Sequence, residues 1–227
     1  MRLDEQTWAD VDRMHPVVCV PVGSCEQHGP HLPLGTDTII AVALANELAA
    51  RQPEVLVAPA LTMTASGEHA GFAGILSIGT DVTAATVVEL ARSADWADGL
   101  VLVNAHGGNH EAIDRAITTL RAEGRDVLAW WPTLEGFDAH AGRTETSMML
   151  ALRPDLVRLE RAACGETAPV TALMGRLRAG GVMSVSPNGV LGDPAGAMAA
   201  EGTSLLRELA DDLALAFETW RRARAER

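Results

Sequence analysis

The sequence predicts an α/β fold in which a mostly parallel sheet is covered by helices on both faces. Across residues 17–152, short apolar runs alternate with longer amphipathic segments. The first apolar run, Val17–Val22, is nearly all β-branched, which is typical of a strand buried on both faces. Alternation of this kind indicates repeated strand–helix–strand units. We therefore expect a single domain over residues 1–227.

The elements before the third strand are predicted from apolar periodicity and from helix start and stop signals. Thr7 begins a short helix over Trp8–Met14. Thr36 is expected to cap a helix over residues 37–51, because a threonine hydroxyl accepts a hydrogen bond from a free N–H group of the first turn. The other predicted segments are a strand over residues 55–58, an irregular glycine-rich stretch over 64–80 and a helix over 83–94.

The second half continues the alternation and then departs from it. A strand over residues 100–103 precedes a helix over 111–122, and Gly124 suits the end of that helix. A fourth strand is expected over 127–131 and a helix over 144–152, which stops before Pro154. Residues 165–202 are rich in glycine and proline, so we expect an irregular excursion with β-like pieces near 182–185. A long closing helix is predicted over residues 203–224.

The composition argues against nucleic-acid binding, membrane insertion and secretion. The formal net charge of −12 disfavours nucleic acid or an anionic membrane as a partner. No apolar run reaches the roughly 18 residues that a spanning helix needs, and the acidic N-terminus lacks the apolar core of a signal peptide. The three cysteines lack the paired spacing of a metal site, which favours reduced thiols in a cytoplasm.

Side chains that can bind metal ions follow each predicted strand. Because the carboxyl ends of parallel strands meet at one edge of a sheet, we expect these side chains to converge there. They are Glu26, His28 and Asp37 after the first strand, His69 after the second, His106 after the third, and His140 and Glu145 after the fourth.

This set of carboxylates and imidazoles suits Zn²⁺, Mn²⁺ or Fe²⁺, and it can hold two ions if one carboxylate bridges them. Asp37, at a helix start behind Thr36, is the natural bridge. A pair of such ions polarises a carbonyl group and activates water, which is the chemistry of amide hydrolysis. Taken singly, Asp37 is better explained as a helix cap and Glu145 as a carboxylate of a first helical turn, and His106 alone is also explained as a structural polar residue. The occurrence of ligands after all four strands favours the metal site.

Three more residues are candidates for substrate contacts. Glu68 and His69 lie in the glycine-rich stretch, at the expected rim of the pocket, where a hydrogen bond within the loop is the alternative role. Trp130 and Trp131 end the fourth strand; we expect one to face the core, and Trp131 is the candidate to line the pocket.

Five segments carry a resemblance to a known family. Residues 21–37 resemble the signature of the creatininase family of metal-dependent amidohydrolases, and the other segments follow it in the expected order. They are residues 66–69, 104–109, 140–147 and 186–194. The resemblance covers about residues 15–205, and the first segment is the most specific.

The resemblance implies a three-layer α/β/α sandwich that forms a homo-oligomer. It also implies that Glu26, Asp37 and His106 hold one ion. His28, Asp37 and Glu145 would hold the other. His140 would then act as the acid/base imidazole, since its ordinary pKa lies near neutrality.

Two positions depart from creatininase itself. Gly108 stands where creatininase has a glutamate, two residues after the histidine that matches His106, and Gly107 stands where an aromatic residue is expected. The missing carboxylate is therefore sought elsewhere, with Glu145 as the candidate. The departures argue against creatinine as the substrate and favour a roomier pocket.

Within the family, the sequence is most similar to a peptidase subfamily. The similarity implies a modified precursor peptide as substrate and partner, from which a cross-linked C-terminal pair, valine and decarboxylated tyrosine, is released. It favours Fe²⁺, with Zn²⁺ or Mn²⁺ as rivals. A small-molecule amidohydrolase or deformylase of the same family is the alternative, and a non-catalytic metal-binding scaffold is a third class, which the full set of candidate ligands disfavours.

Overall fold

The computed structural model describes residues 1–133 and 136–226. Its centre is a four-stranded parallel sheet in the order β2-β1-β3-β4. The strands are β1 (Val17–Val22), β2 (Val55–Val57), β3 (Gly99–Asn104) and β4 (Val127–Trp130). Val17 of β1 pairs with Val55 on one side and with Gly99 on the other. The predicted strands are therefore confirmed, with ends within one residue. The predicted domain over 1–227 also includes residues 134–135 and 227, which lie outside the described part.

Helices cover both faces of the sheet, as predicted. The helices of the described residues are α1 (Trp8–Met14), α2 (Thr36–Arg51), α3 (Gly79–Ser93), α4 (His110–Ala122), α5 (Arg143–Leu152), α6 (Val170–Val185) and α7 (Ala199–Ala225). One face packs against α2, α5 and α7, and the other packs against α3 and α4.

The two cores follow from the alternation of side chains along the strands. In β1, Val17 and Cys19 point into the first core, whereas Val18, Val20 and Val22 point into the second. Each large aliphatic side chain buried in these cores contributes about 1.5–3 kcal/mol. Burial on both sides explains why β1 is apolar at every position, and it fixes where the strand ends and the polar loop begins.

Predictions at three helix starts were wrong, and one of them is that of α7, which begins at Ala199, four residues before the predicted Thr203. Thr36 does not cap α2; it is the first helical residue, and its hydroxyl donates to the carbonyl oxygen of Pro33. Gly35 takes the cap position instead. Helix α3 begins at Gly79, four residues before the predicted Thr83, whose hydroxyl donates to the Gly79 carbonyl.

The expectation of an irregular segment with β-like pieces at 182–185 was also wrong. These residues belong to α6, which bends where Gly181 takes a φ of 67°. Leu173, Val182 and Val185 bury themselves in a small third cluster with Leu191. Burial of this apolar face outweighs the low helix propensity of the glycines, because tertiary packing supplies most of the stability of protein helices.

Every strand runs in the same direction, so the carboxyl ends of β1, β2, β3 and β4 lie at one edge. The polar segments that follow the strands meet there. Within the described residues, we find no helix whose length and hydropathy would let it cross a membrane.

Candidate metal centre

Asp37 lies at the centre of the polar cluster, in the first turn of α2, and is almost fully buried. Its Oδ1 lies 2.9 Å from Nε2 of His28, and its Oδ2 lies 3.2 Å from Nδ1 of His106. The Ser24 hydroxyl donates to Oδ2 over 2.7 Å. The two oxygens of one carboxylate therefore face imidazoles that come from different strand ends.

Glu26 extends from the loop after β1 and is completely buried. Within the described residues, neither of its carboxylate oxygens accepts a hydrogen bond of good geometry. Ring nitrogens of His69 and His106 lie 3.2 and 3.1 Å from Oε1 and Oε2, respectively. A buried carboxylate without hydrogen bonds costs several kcal/mol unless a cation compensates it, so Glu26 fits a metal ligand.

A network of amide side chains fixes the loop after β3. Asn104 donates to the carbonyl oxygen of His106, and Asn109 donates to Oδ1 of Asn104 and to the carbonyl oxygen of Gly23. The Asn109 side chain also accepts the N–H group of Ala65. These bonds hold the loops after three strands in one arrangement, and they orient the His106 ring toward Asp37 and Glu26.

Glu145 and His140 come from the segment after β4. The N–H group of Ala141 donates to Oε2 of Glu145 over 2.6 Å. Ala141 has a φ of 53°, which is uncommon for a residue other than glycine. This turn brings His140 and the first turn of α5 to the same side, so Oε2 of Glu145 lies 4.0 Å from Nε2 of His28.

Gln27 connects the histidines, and the sequence analysis did not identify it. Its side-chain nitrogen donates to the carbonyl oxygen of Gly189 and lies 2.9 Å from Nδ1 of His69. Nε2 of His140 lies 2.7 Å from the Gln27 carbonyl oxygen. Donation to that carbonyl leaves Nδ1 of His140 with its lone pair toward the carboxylates, 3.8 Å from Oε1 of Glu26.

The pKa values separate the imidazoles into two pairs. Burial would lower the pKa of His28, but the charges of Asp37, Glu145 and Glu26 raise it to about 10. The pKa of His106 is raised well above its ordinary value by Glu26 and Asp37, against the effect of burial. Burial and then the neighbouring His28 charge lower the pKa of His140 to about 4, and burial and then the His140 charge lower the pKa of His69 to about 2. Two protonated rings thus offset part of the carboxylate charge when no metal is bound.

The pKa of Glu145 is shifted in the opposite direction to the pKa of Asp37. Burial raises the pKa of Glu145, with a further increase from the Asp37 charge. Burial also acts to raise the pKa of Asp37, but the charge of His28 and the hydrogen bonds from His106 and His28 bring it well below its ordinary value.

Among residues 1–133 and 136–226, four groups of side chains present ligand atoms that lie within 4.8 Å of one another. Two of these groups share Asp37, one with Glu26 and His106 and the other with His28 and Glu145. These are the two ligand sets that the sequence resemblance implied. The remaining groups are Glu26 with His28 and His140, and Glu26 with Glu68 and His69. The donor chemistry, the burial and the unbonded Glu26 all fit a pair of divalent ions.

The predicted substrate contacts lie in different surroundings. His69 is buried against Glu26, and Glu68 is about one-third exposed beside His106. The Trp131 ring is partly buried, and its centroid lies 4.4 Å from that of His110, a residue that belongs to none of the ligand groups. Trp130 faces the first core, as expected for one of the two tryptophans, and its indole N–H donates to Asp212.

The residues that sequence reasoning missed are Ser24, Gln27, Asn104 and Asn109. Each lies inside a segment that carries the family resemblance, so the motif contained the signal. His31 also received no role from the sequence; it is buried, with Nε2 2.9 Å from the Thr146 hydroxyl.

A family model described as creatininase, creatinine amidohydrolase, matches residues 4–217. Mycofactocin precursor peptide peptidase of Mycobacterium tuberculosis (strain H37Rv) is 48% identical over 229 residues, which cover 96% of this chain and 91% of that protein. The protein of the same name from Mycolicibacterium smegmatis is 47% identical with the same coverage. Creatinine amidohydrolase of Pseudomonas putida is 34% identical, over 64% of this chain and 67% of its own.

Solved structures share the fold over nearly the whole chain. A tryptophan-to-phenylalanine mutant of creatininase superposes with a TM-score of 0.80 at 28% identity, covering 96% of this chain and 97% of its own. A putative creatinine amidohydrolase from Bacteroides fragilis has a TM-score of 0.80 at 25% identity, covering 97% and 96%. A creatininase described as a Mn form has a TM-score of 0.78 at 27% identity, covering 96% and 97%.

Proposed function

The chain belongs to the creatininase family, and from this premise we propose that it is a metal-dependent peptidase that hydrolyses a mycofactocin precursor peptide. The cleavage releases the modified C-terminal unit, a valine cross-linked to decarboxylated tyrosine. The observation that carries the proposal is the shared position of Asp37 in two buried ligand groups. Relatives that are 46–48% identical over 96% of the chain bear the name of this activity, which supports the choice of substrate.

Five side chains hold the two ions in this proposal, namely Glu26, His28, Asp37, His106 and Glu145. When bound, the ions would polarise the scissile carbonyl and make water acidic enough to attack it near neutral pH. We propose Fe²⁺ as the native metal, with Zn²⁺ and Mn²⁺ as rivals, because imidazole and carboxylate ligands serve all three. Related solved structures are described as a Mn form and as a Zn–Zn form of creatininase.

His140 has the geometry of a proton carrier. The Gln27 carbonyl fixes its Nε2, and its Nδ1 is directed at the carboxylate cluster. Because burial keeps this ring neutral at pH 7, Nδ1 is free to accept a proton from the attacking water and to return it to the leaving amine. Glu145, whose pKa burial raises, faces the same space from the first turn of α5.

The open space around Gly107, next to His106, suits a substrate larger than creatinine. A Cβ atom at Gly107 would meet nothing within 4 Å, so that side of the site is open. Trp131 stands at the end of β4, where its half-buried ring offers an apolar surface to a phenol-bearing product. We propose that the enzyme works in the cytoplasm and as a homo-oligomer.

Hydrolysis of a small cyclic amide or of a formylamino compound is the second candidate. The 34% identity with the Pseudomonas putida creatinine amidohydrolase favours it. The open side at Gly107 disfavours it, because a small ring would lack a wall to hold it.

The two candidates are separated by product analysis. Purified protein is loaded anaerobically with Fe²⁺, Zn²⁺ or Mn²⁺ and incubated with the cross-linked precursor peptide, with creatinine or with a formylamino compound. Mass spectrometry is expected to find the released C-terminal unit from the peptide alone. A Glu145→Gln variant controls for contaminating peptidases. An intact peptide with every metal would overturn the proposal, and turnover of a small substrate would replace it with the second candidate.

A further inference from the structure

We infer that Glu68 is a metal ligand at the ion held by Glu26, Asp37 and His106, and not a substrate contact at the rim of the pocket. The inference rests on the proposed metal-dependent function, and it adds a fourth carboxylate to the centre. It also gives a structural role to Gly108, which leaves the space that this carboxylate occupies.

Glu68 and His69 approach Glu26 from one short turn, the 3-10 helix Gly67–His69. Oε1 of Glu68 lies 3.5 Å from Nε2 of His106, and the same nitrogen lies 3.1 Å from Oε2 of Glu26. Nε2 of His69 lies 3.2 Å from the other oxygen of Glu26. Ligand atoms of Glu26, Glu68 and His69 all lie within 4.8 Å of one another. Nε2 of His106 also lies 2.9 Å from the Ala65 carbonyl oxygen, and Nδ1 of the same ring faces Asp37. Glu26 belongs both to the group with Glu68 and to the group with His106, so an ion bound by Glu26 would have the Glu68 carboxylate within reach.

Gly108 supplies an independent observation. A Cβ atom at this position would lie 2.0 Å from Oε1 of Glu68 and 2.4 Å from Nε2 of His106, closer than atoms approach without displacement. A side chain at position 108 and the Glu68 carboxylate therefore compete for the same space. Glycine at 108 admits a carboxylate that comes from a different loop, and that carboxylate points at the ring of a predicted ligand.

The charges of the centre support a ligand role. Glu26, Asp37 and Glu145 alone bring three negative charges, and Glu68 brings the fourth. Two divalent ions carry four positive charges, so the four carboxylates balance two ions when every histidine is neutral. Buried or half-buried charges are stable only when they are paired. The two oxygens of Glu26, buried and without hydrogen bonds, mark the place where the balancing charge is needed.

The test measures metal binding without any peptide. Glu68→Gln keeps the shape of the side chain and removes its charge, whereas Glu68→Asp keeps the charge and shortens the reach. Glu111→Gln is the matched control, because Glu111 is three-quarters exposed on α4. Each protein is titrated with Mn²⁺ against a competing chelator, and the coupling between bound ions is followed by electron paramagnetic resonance. Circular dichroism and the melting temperature of the metal-free proteins show whether each variant is folded.

We expect the wild type and Glu111→Gln to bind two ions that are magnetically coupled. Loss of a residue that orients a ligand weakens metal binding by about 10- to 100-fold, so loss of the ligand itself should reach about 100-fold for one ion. Glu68→Gln is then expected to retain one ion with an uncoupled signal, and Glu68→Asp to fall between.

Two coupled ions of wild-type affinity in Glu68→Gln would overturn the inference, and a raised KM with unchanged metal content would assign Glu68 to the substrate instead. If Glu68→Gln fails to fold, Glu68→Asp decides by the same titration. The peptidase proposal would fail separately, if wild-type protein that holds both metal ions left the precursor peptide intact.

Discussion

Asp37→Asn is the substitution with the largest expected effect on this protein. It changes one oxygen to an amide nitrogen and keeps the size of the side chain. In the structure, Oδ1 faces His28 at 2.9 Å, and Oδ2 faces His106 at 3.2 Å while it accepts the Ser24 hydroxyl at 2.7 Å. An amide has no charge and one acceptor oxygen, so it cannot serve both ligand groups. Both ions should be lost.

The magnitude follows from burial and from the shared position. Removing one partner of a buried ion pair costs about 3–5 kcal/mol, which for a chain of this size lowers the melting temperature of the metal-free protein by roughly 6–20 °C. The affinity for each ion should fall by at least about 100-fold, since even the residues that orient metal ligands are worth 10- to 100-fold. Ser24→Ala removes only the hydroxyl that orients Asp37, and it should lower the affinity for metal ions by about 10- to 100-fold.

The assay combines calorimetric melting of metal-free protein with metal analysis after dialysis at a fixed free Zn²⁺ or Mn²⁺ concentration. Asp81→Asn is the control, because Asp81 is exposed and its ion pair with Arg115 is worth about 0–1 kcal/mol. We expect two ions in the control, fewer at limiting metal in Ser24→Ala, and none in Asp37→Asn. If Asp37→Asn retained two ions, the bridging role of Asp37 would be refuted. If its melting temperature were unchanged, the ion pairs of Asp37 with His28 and His106 would be refuted.

Three further outcomes are expected. His140→Gln should lower kcat by about 10²- to 10⁴-fold in the peptide assay with both ions still bound; loss of the ions would make His140 a ligand instead. The pKa of His28 is raised to about 10, so its stabilisation of the metal-free protein is complete below the unfolded pKa near 6.5 and is lost as pH rises toward 10. The melting temperature of the metal-free protein should therefore fall as the pH rises through this range. The affinity for metal ions should rise over the same range, because fewer protons must be displaced from the ligands. If neither quantity changed with pH, the ion pairs of His28 would be contradicted. Gly202→Ala places a Cβ 1.9 Å from the Ser147 carbonyl oxygen where α7 meets α5. This substitution should lower the free energy of unfolding by about 1–3 kcal/mol. Gly175→Ala is the control, because the space around Gly175 is open, and it should not destabilise the protein.

Local patterns were sufficient for the order of elements and for the edge of the sheet where the ligands meet. A strand buried on both faces requires a continuous apolar run, and Val17–Val22 shows one. Polar residues directly after such runs are then brought together by the parallel topology. For this reason the convergence of Glu26, Asp37 and His106 was predicted without knowledge of the structure.

The failures arise where tertiary contacts outweigh local preference. The glycines of α6 concealed a helix, because its stability comes from contacts with Leu191 and the partly buried Phe72. Thr36 was assigned as a cap from its residue type, but its hydroxyl bonds the Pro33 carbonyl. The proximity of Glu68 to Gly108 depends on two loops separated by 40 positions, and spacing along the chain contains no information about such an encounter.

The most direct test is a crystal structure of the anaerobically loaded wild-type protein with anomalous scattering recorded at the absorption edge of the metal. We expect two anomalous peaks in each subunit, with the Asp37 carboxylate between them. Glu26 and His106 should contact one peak, and His28 and Glu145 the other. Peaks away from these side chains, or no peak in protein that cleaves the peptide, would contradict the proposed metal centre.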